Sequence, residues 1–297
     1  MNTPAFKHDD LSDLKAMLAA GGDVEDVDSA GKTRLHYAAG WASLPMVRLL
    51  IELKANVHAR DNDGRQPLHL AALRQTFSSG RSEVMRLLLD AGAELDATDS
   101  RGDTPLSLAK AVHALCDAGA DVDAADAHGD APLHYATEGG SASAVQLLLG
   151  KGASPLERAR DGTSPLHNAL VLMRHPDGSR AVASLLGASV DVNTANNNGS
   201  TPLHCAASLG ASSAVLLLLK VGANPRALDA QGAQPLHHVA GCGLYGSGNE
   251  IQPIITALLV AGRGLDNPKP LKYALSCGNI TAVKLLMNAG ATVCHQT

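Results

Sequence analysis

Aromatic residues are scarce in this chain of 297 residues: Phe, Tyr and Trp together make up 2% of it, whereas hydrophobic residues make up 45%. An interior built mainly from Leu, Val and Ala suits thin helical layers and implies no bulky central core. The longest apolar run covers residues 214–219, which is far too short to cross a bilayer. Charged residues and a histidine interrupt the first twenty residues, so no secretory signal peptide is expected. We therefore expect a soluble, cytoplasmic protein without a membrane partner.

Clusters of positive charge are also missing. The formal net charge is −5 and no basic run exceeds two residues, so the electrostatic footprint of a nucleic-acid-binding protein is absent. The five cysteines are scattered and show no C-x-x-C spacing. We interpret them as reduced thiols in a cytoplasm-like compartment.

A short motif recurs along most of the chain. Pro-Leu-His occurs at residues 67–69, 132–134, 165–167, 202–204 and 235–237, and Arg34-Leu35-His36 lacks only the proline. Leu106 and Leu271 continue the series, and successive copies of the leucine are 27 to 38 residues apart, with an interval of 33 at three places. A fixed period of this length is the mark of a repeat protein, whose stacked units share one core.

The block Thr201-Pro202-Leu203-His204-Cys205-Ala206, read as T-P-L-H-x-A with a period near 33, resembles the ankyrin repeat. The resemblance covers nearly the whole chain. It implies an all-α ankyrin-repeat solenoid of about nine helix-turn-helix units, each with an inner and an outer helix, joined by β-turn or hairpin tips. We expect a single domain over residues 1–297.

The units differ in completeness. We expect a partial cap unit at 1–32, two units at 33–103, a shortened unit at 104–130, four units at 131–268 and a cap unit at 269–297. In the shortened unit Ser107 replaces the motif histidine and the inter-helix turn has no room. In the last unit Lys272 replaces that histidine.

Three units carry extra residues between their helices, at about 74–82, 174–180 and 241–251. Because repeats share one orientation, we expect these loops on one edge, either as a binding edge or as tolerated loop drift. Lys54 and Ser189 stand where other units have a glycine that ends the outer helix, so strain or altered geometry is expected there.

The histidines favour a structural role over chemistry. In the ankyrin family the motif imidazole hydrogen-bonds backbone in the adjoining turn, and the resemblance implies this role for His36, His69, His134, His167, His204 and His237. The acidic turns lack the frame of a calcium loop, and the glycines at 241–248 follow an inner helix instead of the strand that a dinucleotide loop needs. We expect no metal, no cofactor and no enzyme activity.

The resemblance implies a protein-protein interaction module, a monomer that binds another protein through turn tips, inner helices and the loop edge. The alternatives are a dedicated inhibitor or immunity protein that occludes an enzyme or toxin, and a bacterial effector that binds a host protein. Trp41 is the first candidate anchor, or else it covers the incomplete first unit. The other candidates for partner binding are Lys32, Arg65, Arg74, Phe77, Arg101, His128, Glu138, Arg160 and Tyr245.

Overall fold

The computed structural model describes residues 11–73, 80–108, 112–171, 176–241, 248–262 and 269–291. Within these ranges the chain forms sixteen α-helices and no strand. The helices are α1 (Leu11–Ala19), α2 (Arg34–Trp41), α3 (Leu44–Glu52), α4 (Pro67–Leu73), α5 (Arg81–Asp90), α6 (Val112–Asp117), α7 (Pro132–Glu138), α8 (Ala142–Gly150), α9 (Pro165–Val171), α10 (Pro176–Gly187), α11 (Pro202–Ser208), α12 (Ser212–Lys220), α13 (Pro235–Gly241), α14 (Gly248–Ala261), α15 (Lys269–Ser276) and α16 (Ile280–Asn288). The fold is an all-α ankyrin-repeat solenoid, as the sequence predicts.

The inner helices begin at a clear start signal, as α11 shows. In α11, Thr201 is the N-cap residue in extended conformation and Pro202 follows at the first position, where a missing N–H costs nothing. The outer helix α12 buries Val215 and Leu218 as one stripe. It ends before Gly222, whose φ of 95° is a left-handed conformation typical of a helix C-terminus.

The core is built from small aliphatic side chains. The motif leucines and the alanines of the inner helices are almost fully buried, for example Leu203, Ala206 and Ala207 at 0% exposure. Inner helices pack on inner helices, as α2 does on α4 and α11 on α13, whereas outer helices pack on outer helices, as α3 does on α5 and α12 on α14. None of the helices in the described ranges is long and apolar enough to cross a membrane.

The chain divides into two compact units. The first contains Met1–Tyr135 with Leu147–Ala153, and the second contains Ala136–Gln146 with Ser154–Thr297. Each has its own buried leucines, such as Leu68 and Leu88 in the first and Leu185 and Leu203 in the second. Each of the two units therefore has an interior of its own.

The irregular repeats take a definite form in the described residues. Residues 105–108 form turns, with the N–H of Leu108 donating to the Thr104 carbonyl at 3.2 Å, and the described part of the outer helix α6 covers six residues. The shortened unit at 104–130 stays a prediction, since residues 109–111 lie outside the described residues.

The predicted long loops need a correction. Helix α5 begins at Arg81, α10 at Pro176 and α14 at Gly248, so the last residues of each predicted loop are helical. Residues 74–79, 174–175 and 242–247 of these loops lie outside the described residues. Helices α10 and α14 have 12 and 14 residues, whereas α12 has nine. Part of each of these two insertions therefore extends the outer helix.

Two side chains adopt the strained helix ends that the sequence predicts. Lys54 and Ser189 have φ of 66° and 60°, in the left-handed region that costs a side chain about 1 kcal/mol. A third, Ala42 with φ of 57°, was not predicted and ends α2. Gly262, which follows α14, has no positive φ, unlike Gly222 after α12.

Candidate partner-binding surfaces

The turn tips are held by one repeated device. Each of six turns opens with an Asp or Asn whose Oδ1 accepts the backbone N–H groups of the residues two and four positions later, at 2.7 to 3.0 Å. These residues are Asp28, Asp61, Asp99, Asp126, Asn196 and Asp229. The side chain thus replaces solvent for two backbone donors and fixes the shape of the tip.

Neighbouring tips are bonded to one another. In the first unit the N–H of Ala127 donates to the Arg101 carbonyl at 2.9 Å, and in the second the N–H of Ala230 donates to the Asn198 carbonyl at 2.9 Å. A Cβ on Gly199 would lie 2.6 Å from the Ala230 nitrogen, so this turn needs glycine for close approach as well as for its positive φ. The tips form an ordered row within each unit.

The motif histidines join the inner helices to these tips, as the resemblance implies. Nδ1 accepts the backbone N–H three residues earlier at 2.9 to 3.3 Å in all six copies. In four copies Nε2 donates to a carbonyl of the adjoining turn at 2.9 to 3.2 Å, as His204 does to Ala233. Burial lowers the pKa of these four imidazoles below the ordinary value, which keeps them neutral.

A second contact between the inner helices and the turns, which we call the clamp, was not predicted from the sequence. The residue after the motif histidine reaches the turn aspartate nine positions earlier: the Tyr37 hydroxyl donates to Asp28 Oδ2 at 2.5 Å, the Tyr135 hydroxyl to Asp126 Oδ2 at 2.7 Å, and His238 Nε2 to Asp229 Oδ2 at 2.7 Å. The bond to Asp28, with burial, raises the pKa of Tyr37 to about 12. The recurring spacing Asp-x8-Tyr or Asp-x8-His is a signal that could have revealed it.

One turn aspartate lacks this partner. Asp61 is 6% exposed, and its Oδ2 is buried without a hydrogen-bond donor among the described residues. The equivalent clamp position holds Leu70, which has no donor to offer. In the next turn Leu108 stands at the clamp position, but Arg65 Nε reaches Asp99 Oδ2 at 3.3 Å instead. The turn at Asp61 is therefore the incompletely satisfied one.

Trp41 lies at the end of α2, half-buried. Its ring packs at 5.4 Å and 41° against that of Tyr37, which is itself fixed to Asp28. The two rings form an aromatic pair on an anchored inner helix. Such a pair offers apolar area that loses little side-chain entropy on binding.

The other predicted residues divide between the two units. In the first, Arg101 and His128 are exposed on turn tips and Lys32 is half-buried at the end of its turn. Arg65 is only 20% exposed, because its guanidinium bridges Asp63 and Asp99 at 3.3 Å each.

In the second unit Glu138 and Arg160 are exposed. Glu138 ends the inner helix α7, and the backbone carbonyl of Arg160 accepts the Asn197 side chain at 2.7 Å. Arg74, Phe77 and Tyr245 lie outside the described residues.

Within the described ranges, potential metal ligands converge at His204, Asp229 and His238, whose atoms lie within 4.8 Å of one another. Both nitrogens of His204 are already used, since Nδ1 accepts from Thr201 and Nε2 donates to Ala233. Asp229 Oδ2 accepts from His238. The polar groups of this cluster are satisfied by the turn scaffold, which makes it a structural clamp.

Comparison with known proteins agrees with this architecture. A family model described as ankyrin repeats (3 copies) matches residues 5–99, 74–159, 106–178 and 172–247. Human transient receptor potential cation channel subfamily A member 1 is 31% identical over 237 residues, which are 79% of this chain and 18% of that protein. Mouse ankyrin repeat and SOCS box protein 16 is 35% identical over 231 residues, which are 74% of this chain and 50% of that protein. Human neurogenic locus notch homolog protein 2 is 34% identical over 213 residues, which are 71% of this chain and 7% of that protein. The chain spans half or less of the length of these three relatives.

Proposed function

Because the chain belongs to the ankyrin-repeat family, we propose that it binds a partner protein through the turn tips and the inner helices, as a monomer in the cytoplasm. Ankyrin repeats indicate a protein-protein interaction module, and the family is generally non-catalytic. The observation that carries the proposal is that different residues of each turn have different roles. Asp and His side chains hold the backbone, while the neighbouring residues Arg101 and His128 project to solvent from the rigid tips.

Pre-organisation gives this surface its value for recognition. Binding costs free energy when loops and side chains must be ordered. A turn tip that is already held by two hydrogen bonds to its own backbone and by a bond to the neighbouring tip loses less conformational entropy on binding. The aromatic pair of Trp41 and Tyr37 adds the kind of residue that dominates interface energetics. We propose this pair as the anchor in the first unit.

The partner's identity is not inherited from the relatives. A cation channel, a notch homolog and a SOCS box protein each carry the matching repeats within longer chains. What these proteins share with the chain is the repeat region, so the shared property is the binding module.

Affinity purification with chemical cross-linking tests the proposal. We expect a partner protein whose cross-links cluster at the turn tips and inner helices, including positions near Lys32 and Trp41. Cross-links confined to the outer helices would refute the proposed surface. A stoichiometric complex with an enzyme whose activity is blocked would identify the inhibitor alternative.

A further inference from the structure

The last described repeat departs from the array at its motif histidine, which Lys272 replaces, and nine positions before Tyr273, where Gly264 replaces the turn aspartate. Its motif reads Pro270-Leu271-Lys272-Tyr273-Ala274, whereas the regular copy at residues 132–136 reads Pro-Leu-His-Tyr-Ala. In six other copies the position of Lys272 holds the backbone-bonding histidine. The position of Tyr273 is the clamp position, whose side chain reaches a turn aspartate in three of the other copies. Lys272 and Tyr273 stand where the scaffold residues are expected.

Neither side chain makes the hydrogen bond to a turn that its counterpart makes in the regular copy. Lys272 is exposed, and its ammonium has no acidic partner in the part of the chain that the structure describes. Nine positions before Tyr273 the sequence has Gly264 where Tyr135 has Asp126, so no carboxylate stands at the clamp spacing. Tyr273 is 50% exposed, and its hydroxyl has no partner among the described residues. The Lys272 ammonium and the Tyr273 hydroxyl are therefore two hydrogen-bond donors without a partner among the described residues.

Lys272 and Tyr273 line a cavity within the second unit. It has a volume of about 440 Å³ and lies between the turn at 229–233 and helix α15, lined by Asp229, Gln231, His238, Lys272, Tyr273 and Ser276. The volume falls within the range of ligand pockets, about 300–1,000 Å³.

The polar groups of the cavity define what it can take. The carboxylate of Asp229 is 2% exposed and its oxygens are occupied, Oδ1 by the N–H groups of Gln231 and Ala233 and Oδ2 by His238. The Ser276 hydroxyl donates to the Tyr273 carbonyl at 2.8 Å. Lys272 and Tyr273 contribute an ammonium and a phenol that have no partner among the described residues, and these two donors together match a carboxylate. The Gln231 side-chain amide, also in the lining, can donate to the same group.

We propose that this cavity binds an acidic side chain of a partner polypeptide, with Lys272 Nζ and the Tyr273 hydroxyl as donors. The inference rests on the proposed protein-binding function and names the chemistry of one of its contacts. A nucleic acid is disfavoured as the occupant because it needs several basic groups, and the cavity offers one lysine in a chain of net charge −5.

Peptide selection tests the proposal without a known partner. A phage-displayed library of random linear peptides is first depleted on the Lys272→His variant and then selected on the unaltered full-length chain. This variant restores the Pro-Leu-His motif, so it removes the ammonium while keeping the fold. We expect the recovered peptides to share an Asp or Glu at one position.

Affinities of a recovered peptide complete the test. On the unaltered chain, replacing its acidic residue by the amide is expected to raise the dissociation constant about tenfold. The same replacement should have little effect on the Lys272→Ala and Tyr273→Phe variants, whose thermal unfolding controls for folding. Recovered peptides that lack a shared acid, or that bind Lys272→Ala equally well, would overturn the proposal and leave protein binding intact. Recovery of no peptide overturns it too, and the proposed function fails with it only if affinity purification also yields no partner.

Discussion

Substituting Leu70 by tyrosine should stabilise the protein. At the equivalent positions the hydroxyls of Tyr37 and Tyr135 donate to turn aspartates, whereas Asp61 Oδ2 is buried without a donor. Leu70 is half-buried, as both tyrosines are, so a ring at this position can reach the turn along the same surface. The substitution supplies the one donor that the turn at Asp61 lacks.

The expected gain follows from the hydrogen bond itself. A net contribution of about 0.5–1.5 kcal/mol is typical for a single bond, and satisfying a buried carboxylate oxygen places this case near the upper end. For large domains a change of about 1 kcal/mol corresponds to a shift of about 2–4 °C in Tm. We therefore expect the free energy of unfolding of Leu70→Tyr to rise by about 1 kcal/mol.

Chemical denaturation of three variants checks this value. Leu70→Phe adds the same ring without the hydroxyl and is the matched control, because it separates packing from hydrogen bonding. Combining Leu70→Tyr with Asp61→Asn tests the acceptor. If Leu70→Tyr is no more stable than Leu70→Phe, the interpretation of Asp61 as an unsatisfied carboxylate is wrong.

Three further predictions concern pH, helix ends and the shortened repeat. Burial lowers the pKa of motif histidines such as His204, so the unfolded chain binds more protons below about pH 6.5 and the free energy of unfolding should fall as the pH drops from about 7.5 to 5.5. Thermal unfolding across that range checks it, and a flat profile would contradict it. Lys54→Gly should raise the free energy of unfolding by about 0.5–1 kcal/mol because it relieves a left-handed conformation, whereas Lys54→Ala, which keeps the Cβ, should not. In hydrogen exchange, amides at 112–117 should be labelled before those at 212–217, since residues 105–108 form turns whereas the matching residues of α11 form a helix packed on α12; equal protection would mean that the array is continuous there.

Much of the fold follows from local sequence signals. The start of α11 after Thr201, the apolar stripe of α12 and the strained ends at Lys54 and Ser189 were all predictable from motif position. These features depend on residues close in sequence, whose conformational preferences are the same in every repeat.

Features that depend on distances between elements were missed. Whether a tyrosine hydroxyl reaches the aspartate nine positions earlier is decided by how the inner helix is set against its turn, as for Tyr135 and Asp126. The positive φ of Ala42 arises where other inner helices end in glycine, such as Gly210, and nothing in its residue type signals it. Loop residues near Pro176 and Gly248 were predicted as irregular because no apolar period marks the extra helical turns.

The binding surface itself is tested most directly by affinity for the partner that purification recovers. Trp41→Ala should raise the dissociation constant by a factor equivalent to more than about 1 kcal/mol, since it removes one ring of the aromatic pair. Leu216→Ala, on the outer helix α12 where the side chain is 50% exposed, should leave the constant unchanged. Weaker binding by Leu216→Ala together with unchanged binding by Trp41→Ala would place the partner on the outer helices and contradict the account.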